Sequence, residues 1–129
     1  MGNADPNALV LANAALQVSE FVGLPEARIP LAQAAVYVAC APKSNAVYLG
    51  IDKALEDVKT KKAGVVPQHL KDASYSGAEK LGRGQGYKYV HDHPQHYVPQ
   101  EYMPFPAEYY TPTDMGYEQK IRERLEKLR

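Results

Sequence analysis

Apolar positions recur at helical spacing through the first 60 residues and predict three helices. The first is predicted to begin at Asp5-Pro6, because aspartate accepts a hydrogen bond at an N-cap and proline is favoured at the first helical position. It continues to Val22 and ends at Gly23, since glycine is common just beyond a helix C-terminus.

The next two predicted helices are bounded by prolines and a serine. The second starts near residues 25–26 and ends at Ala41, directly before a proline. Pro30 lies inside it and predicts either a kink or a later start. The third has Ser44 as its N-cap and covers residues 45 to about 61, with one apolar and one charged face.

The first two helices are apolar around almost their whole circumference. A thin stripe of Asn13, Gln17 and Glu20 is the polar part of the first helix, and Arg28 and Gln33 interrupt the second. Such helices are buried on all sides in a folded protein, so they are covered either by the rest of the same chain or by the surface of a partner. The second alternative predicts a homo-oligomer, with these candidate interface residues: Leu9, Ala12, Leu16, Leu31, Ala35 and Val36.

The second half of the chain has a different composition. Five of the ten prolines lie between Pro94 and Pro112, and eight of the ten tyrosines lie from Tyr75 onward. We predict an ordered extended arm, with disorder as the alternative. Within it we expect short helices near residues 66–70 and 76–82 and possible strand pairing at residues 87–89.

A final helix is predicted to begin near residues 111–114, where the spacing fits a capping box, and to reach Arg129. The expected fold is all-α: a bundle of three to five helices with a long Tyr/Pro-rich irregular arm and a C-terminal helix. Residues 1–62 would form a three-helix core. Residues 63–129 would pack on it, so that the whole chain is one domain.

The charges balance at fifteen acidic and fifteen basic residues. Zero net charge argues against a strong nucleic-acid binder, because that affinity comes mainly from neutralising phosphates. Lys80, Arg83 and Lys88 flank the glycine-rich turn at residues 82–86 and remain nucleic-acid candidates, together with the basic final helix. The turn lacks the phosphate-loop pattern.

Catalytic chemistry is not predicted. Cys40 lies in an apolar run and is expected to be a small buried side chain. His91, His93 and His96 could in principle hold zinc and support a metal-dependent enzyme, but a polar loop is the preferred interpretation. We therefore predict no catalytic, cofactor or metal residues. The lone cysteine, the lack of a signal peptide pattern and the short apolar runs predict a soluble cytoplasmic protein.

Several short stretches, spread in order over the whole chain, resemble one known family. They are residues 2–6, 23–28, 41–45, 66–73, 86–89, 97–102, 110–114 and 121–124. Together they are similar to the C-terminal region of the replication-associated recombination protein A family, also called MgsA, whose eukaryotic relative is the Werner-helicase-interacting ATPase. The histidine-rich stretch at residues 91–96 departs from that pattern, which weakens the metal interpretation further.

The resemblance implies a parent protein with an N-terminal AAA+ ATPase module that binds ATP and Mg²⁺. It also implies homotetramers formed through the C-terminal region and action on DNA at stalled replication forks, with single-strand-binding protein as a partner, in the bacterial cytoplasm near the nucleoid. The nucleotide-binding residues belong to that module, so none is assigned to any position here. Because Met1 directly precedes a stretch that is internal in relatives, we expect a truncated chain with an added start methionine.

Overall fold

The computed structural model describes residues 1–61, 64–74 and 76–128, with only the backbone of residue 79. Within these residues there are four α-helices and no strands, which confirms the predicted all-α class. The α-helices are α1 (Asn7–Val22), α2 (Arg28–Cys40), α3 (Ala46–Thr60) and α4 (Glu118–Leu128). Short 3₁₀ helices cover Gly2–Ala4, Gln68–Leu70, Glu79–Leu81, Val90–Asp92 and Pro94–His96.

The chain packs as two compact units. Unit 1 contains residues 1–54 and 109–127, and unit 2 contains residues 55–108 and Leu128. Unit 1 therefore holds α1, α2, the first part of α3 and nearly all of α4. The prediction that residues 63–129 pack on residues 1–62 as one domain stays a prediction.

Helix α1 ends as predicted but begins differently. Gly23 has φ 69°, and its N–H donates to the Ser19 carbonyl at 3.0 Å, which ends the helix. The predicted side-chain cap at Asp5 is wrong, because α1 starts at Asn7 without one. The Asp5 carboxylate instead accepts a hydrogen bond from the Tyr37 hydroxyl at 3.2 Å and so links the start of α1 to α2.

Helix α2 starts later than predicted. It begins at Arg28, so Pro30 lies in the first turn, where a missing backbone N–H breaks no intrahelical bond. The prediction that Cys40 is buried is wrong, since its side chain is exposed. The buried residues here are Ala27, Ala34 and Ala41, which follow one another at intervals of seven and so share one side of the helix. Cys40 precedes Ala41 by one residue, which turns its side chain by about 100° away from that side.

Alanines also make up the buried face of α1. Its buried residues are Ala8 and Ala15, again seven apart, and α1 packs directly on α2. Alanine at these positions allows the two backbones to approach closely. Many of the larger apolar side chains of both helices stay exposed, among them Leu9, Leu16 and Val36.

Helix α3 has the predicted serine cap. The Ala46 N–H donates to the Ser44 hydroxyl at 3.1 Å. Gly50 on its buried face lies against the backbone of Tyr109, so close that an added Cβ would be 2.9 Å from the Tyr109 carbonyl oxygen. A glycine is therefore needed for the return of the chain onto α3.

The predicted start of the last helix near residues 111–114 is wrong, because α4 begins at Glu118. Gly116 adopts φ 56°, and the following N–H of Tyr117 donates to the Ala4 carbonyl at 2.8 Å. This tight turn is fixed by contact with the N-terminal segment, a long-range interaction that the local capping-box spacing does not reveal.

Unit 2 is mainly irregular. The prediction of strand pairing at residues 87–89 is wrong, since this stretch is unpaired coil that leads into the 3₁₀ helix Val90–Asp92. The predicted short helices near residues 66–70 and 76–82 are present as single 3₁₀ turns. Hydrogen bonds hold the loops, among them one from the Tyr102 hydroxyl to the Val98 carbonyl at 2.7 Å.

Candidate functional site

Helices α1 and α2 of unit 1 expose several large apolar side chains. Leu9 is 79% exposed, Leu16 55%, Leu31 47% and Val36 64%, and Phe21 in the last turn of α1 is 93% exposed. Isolated exposed apolar residues are common, whereas a contiguous exposed apolar patch is typical of an interaction surface. We call the exposed side chains of Leu9, Leu16, Phe21, Leu31 and Val36 the apolar face, although Phe21 lies about 140° around α1 from Leu16.

All six predicted interface residues are exposed when the chain is taken by itself: Leu9, Ala12, Leu16, Leu31, Ala35 and Val36. Sequence reasoning missed Phe21, although its position just before the helix-ending Gly23 could have drawn attention to it. Between residues 7 and 41 the charged residues are Glu20, Glu26 and Arg28 alone. Depletion of charge together with exposed aliphatic and aromatic side chains is typical of the core of a protein–protein interface.

A buried carboxylate organises the other side of unit 1. The Glu118 side chain is fully buried and accepts four hydrogen bonds. Donors are the Ser44 hydroxyl at 2.8 Å, the Thr113 N–H at 2.8 Å, the Thr113 hydroxyl at 2.7 Å and the Tyr110 hydroxyl at 3.1 Å. The Asn3 amide in turn donates to the Tyr110 hydroxyl at 3.1 Å. This network ties the N-terminal segment, the start of α3 and the start of α4 together.

The network keeps Glu118 ionised. Burial alone raises the pKa of this carboxyl, but the hydrogen bonds from Thr113, Ser44 and Tyr110 together outweigh burial and hold its pKa below the ordinary value. Burial raises the pKa of the Tyr110 hydroxyl, and its contact with Glu118 adds to this rise. Since every oxygen of Glu118 is occupied by a donor, we interpret it as a structural residue.

The three basic candidates lie in unit 2. Lys80 and Lys88 are exposed, whereas Arg83 is half-buried. Hydrogen bonds from Ser74 lower the pKa of Asp72, and the charge of Arg83 lowers it further. Asp72 therefore stays negative near Arg83 and reduces the positive potential at this position.

The histidine stretch brings two imidazoles together. The His91 Nδ1 and His96 Nδ1 atoms are 3.3 Å apart, and the ring of Tyr89 lies 5.1 Å from that of His91. Across residues 1–61, 64–74 and 76–128, no group of three or more His, Cys, Asp or Glu side chains is arranged to hold a metal ion. The structure gives no support to the zinc interpretation of His91, His93 and His96.

In the part of the chain that the structure describes, no helix combines the length and apolar character that crossing a bilayer requires.

Comparison with known proteins identifies relatives over the whole chain. The family described as MgsA AAA+ ATPase C terminal matches residues 1–129. The replication-associated recombination protein A of Bacillus subtilis is 46% identical over 99% of this chain, and that of Escherichia coli K12 is 44% identical over 97%. An uncharacterized AAA domain-containing protein of Mycobacterium tuberculosis is 48% identical over 100%.

The chain spans a minor part of each of these relatives. It covers 31% of the Bacillus protein and 29% of the Escherichia and Mycobacterium proteins.

Proposed function

This chain belongs to the MgsA AAA+ ATPase C-terminal family. We propose that it joins copies of a larger replication-associated ATPase into a homo-oligomer, and specifically into a tetramer. The observation that carries the proposal is the apolar face of α1 and α2. In this proposal the face is covered by a second copy of the same chain, and the chain itself performs no catalysis.

The free energy gained by burying the apolar face is comparable with the cost of association. The five side chains of the apolar face together equal roughly three fully exposed apolar side chains, and burying them contributes about 5–10 kcal/mol. Association costs about 4–15 kcal/mol in lost freedom of motion. Since the gain and the cost are similar, oligomerisation depends on burying most of the face, and a single charge placed within it should prevent association.

The proposed role of the oligomer is to hold ATPase modules close together. Linking binding modules raises their effective concentration, so several modules would engage one DNA molecule together. ATP and Mg²⁺ would bind in the module outside this chain. We further propose that the parent protein acts at replication forks in the bacterial cytoplasm, near the nucleoid. Its partners there would be DNA and single-strand-binding protein.

The proposal is tested by the mass of two matched variants. Leu16→Glu puts a carboxylate at the centre of the exposed side of α1, and we expect it to be monomeric where the unaltered chain is oligomeric. Val58→Glu makes the same kind of change on α3, where Val58 is 78% exposed in unit 2, and should leave the mass unchanged. Multi-angle light scattering measures the masses, and circular dichroism checks that both variants are folded. An oligomeric, folded Leu16→Glu variant would contradict the assignment of this face.

A second candidate function is contact with DNA through unit 2. Tyr87 is 59% and Tyr89 55% exposed on either side of the exposed Lys88, and exposed tyrosines beside a cation suit stacking on single-stranded bases. Lys80 and Arg83 would add phosphate contacts, although Asp72 weakens the second of them.

Fluorescence anisotropy with a labelled single-stranded oligonucleotide at low salt tests this candidate. Salt-dependent binding that is weakened by Lys88→Glu and by Tyr87→Ala would support it. Absence of binding by the unaltered chain at low salt would exclude it for this part of the protein.

A further inference from the structure

Two imidazole rings meet at the surface of unit 2. His91 belongs to the 3₁₀ helix Val90–Asp92, and His96 ends the next one, Pro94–His96. Their Nδ1 atoms are 3.3 Å apart, and their ring centres are 4.9 Å apart with the rings inclined at 60°. Both residues are exposed, so a small ligand can reach this pair from solution.

The backbone between the two histidines is held in an uncommon conformation. Gln95 has φ 58° and His96 has φ 53°, so two successive residues other than glycine lie in the left-handed region. This region costs free energy for a residue with a Cβ, and residues held in it are concentrated at functional sites. Here the conformation turns the chain back so that His96 reaches His91, and the ring of Tyr89 lies 5.1 Å from that of His91.

The distance between the two nitrogens fits a chelated metal ion. Imidazole nitrogen binds zinc at about 2.0–2.1 Å, so two such nitrogens are about 3.3 Å apart at a tetrahedral angle and about 2.9 Å apart at a right angle. The Nδ1 atoms of His91 and His96 are at the upper end of this range. Side-chain movements of a few tenths of an ångström therefore cover both geometries.

The hydrogen shared by the two rings does not prevent binding. In the pair, one ring carries hydrogen on Nδ1 and the other offers a lone pair, because neutral imidazole has one donor and one acceptor nitrogen. A metal ion would take the place of the shared hydrogen, which moves through water to Nε2 of the same ring. Both rings then stay neutral, and both Nδ1 lone pairs face the ion.

We propose that His91 and His96 chelate a divalent transition metal ion of the class that imidazole prefers, with Cu²⁺ bound more tightly than Ni²⁺ or Zn²⁺. Water fills the remaining coordination positions. This two-nitrogen site differs from a three-ligand zinc site, because His93 takes no part. It is independent of the proposed oligomerisation, and a bound ion would fix the turn at residues 91–96 in the conformation described.

Calorimetric titration of the untagged chain with CuCl₂ tests the proposal. We expect one site per chain, with an affinity that falls at least about tenfold in His91→Ala and in His96→Asn, because even the loss of an outer partner of a metal ligand costs about 10–100-fold. Asparagine is used at position 96 because it tolerates a positive φ. The other two of the four histidines supply matched controls, and His69→Ala and His93→Ala should bind like the unaltered chain.

Electron paramagnetic resonance of the Cu²⁺ complex counts the coordinated imidazoles. The unaltered chain should show two, and His91→Ala and His96→Asn should each show one. Excess Mg²⁺ should not displace the copper, because Mg²⁺ prefers oxygen ligands. Circular dichroism should give all four variants the helix content of the unaltered chain, since none of the four positions lies in an α-helix.

Several results would overturn the proposal. They are no binding by the unaltered chain, full affinity in both His91→Ala and His96→Asn, and loss of affinity in His69→Ala or His93→Ala instead. Displacement by Mg²⁺ would assign the ion to carboxylates and would also overturn it. None of these results bears on oligomerisation, which light scattering measures on the metal-free chain.

Discussion

Replacing Glu118 tests how unit 1 is held together. Glu118→Ala removes the acceptor of four hydrogen bonds and leaves the half-buried donors of Thr113, Ser44 and Tyr110 without that acceptor. A hydrogen bond to a charged group contributes about 1.5–3 kcal/mol, and leaving a buried donor unsatisfied costs about 1–3 kcal/mol. We expect Glu118→Ala to lower the free energy of unfolding by about 3–5 kcal/mol, a large part of the stability of a typical domain.

Glu118→Gln removes the negative charge of this side chain but keeps its size and shape. Its carbonyl oxygen can still accept from Thr113 and Ser44, while its NH₂ group faces the Tyr110 hydroxyl. We expect a loss of about 1–2 kcal/mol, which is the difference between a charged and a neutral acceptor. Urea denaturation followed by circular dichroism, at one fixed protein concentration because association adds stability, measures both losses.

The same substitution predicts a pH dependence with a definite sign. The pKa of Glu118 is lowered from its ordinary value of 4.5 in the folded chain. A carboxyl with a lower pKa in the folded than in the unfolded state stabilises the fold above its unfolded pKa, and this stability is lost as the pH falls through the folded pKa. The stability difference between the unaltered chain and Glu118→Gln should therefore be largest above about pH 4.5 and shrink below it.

The matched control is Glu123, which lies on the exposed side of α4 with a single hydrogen bond from Gln119. Glu123→Ala should change the unfolding free energy by less than about 0.5 kcal/mol. Equal effects of Glu118→Ala and Glu123→Ala, or a Glu118→Gln difference that does not change with pH, would refute the role given to the network.

Two glycine substitutions test the close backbone contacts of unit 1. Glycine to alanine inside a helix usually stabilises by about 1 kcal/mol, but Gly50→Ala should destabilise by a similar amount, because the new Cβ would lie 2.9 Å from the Tyr109 carbonyl oxygen. Gly116→Ala should cost at least about 2 kcal/mol, since it combines a positive φ with overlap on the Ala4 carbonyl. Gly77→Ala, with a positive φ but open space around its Cβ, is the control and should cost less. Urea midpoints report all three, and a stabilised Gly50→Ala variant would contradict the contact.

Helix positions could be predicted from the sequence where the signal is local. Gly23 ends α1 and Ser44 caps α3, because each acts on backbone groups within its own turn. The apolar circumference of α1 and α2 likewise predicted side chains that their own helix pair does not bury.

Features set by long-range contacts could not be predicted in this way. The start of α4 depends on Gly116 and on the bond from Tyr117 to Ala4, more than a hundred residues earlier in the chain. Asp5 bonds Tyr37 on the next helix instead of capping α1. Glu118 is charged and yet fully buried, an unusual environment for glutamate that only its assembled donors explain.

The residues of the candidate site could be predicted from the sequence, but their arrangement in space could not. Leu9, Leu16, Leu31 and Val36 were predicted from the apolar pattern, whereas the exposure of each side chain depends on how α1 packs on α2. Phe21, which is 93% exposed, was not among the predicted residues.

Sedimentation equilibrium of the unaltered chain, over a dilution series from tens of micromolar downward, measures most directly whether the apolar face binds a second copy. Our account predicts a mass four times 14.3 kDa at the higher concentrations, falling as the oligomer dissociates on dilution. A mass of 14.3 kDa at every concentration, from a chain with the helix content described here, would contradict it.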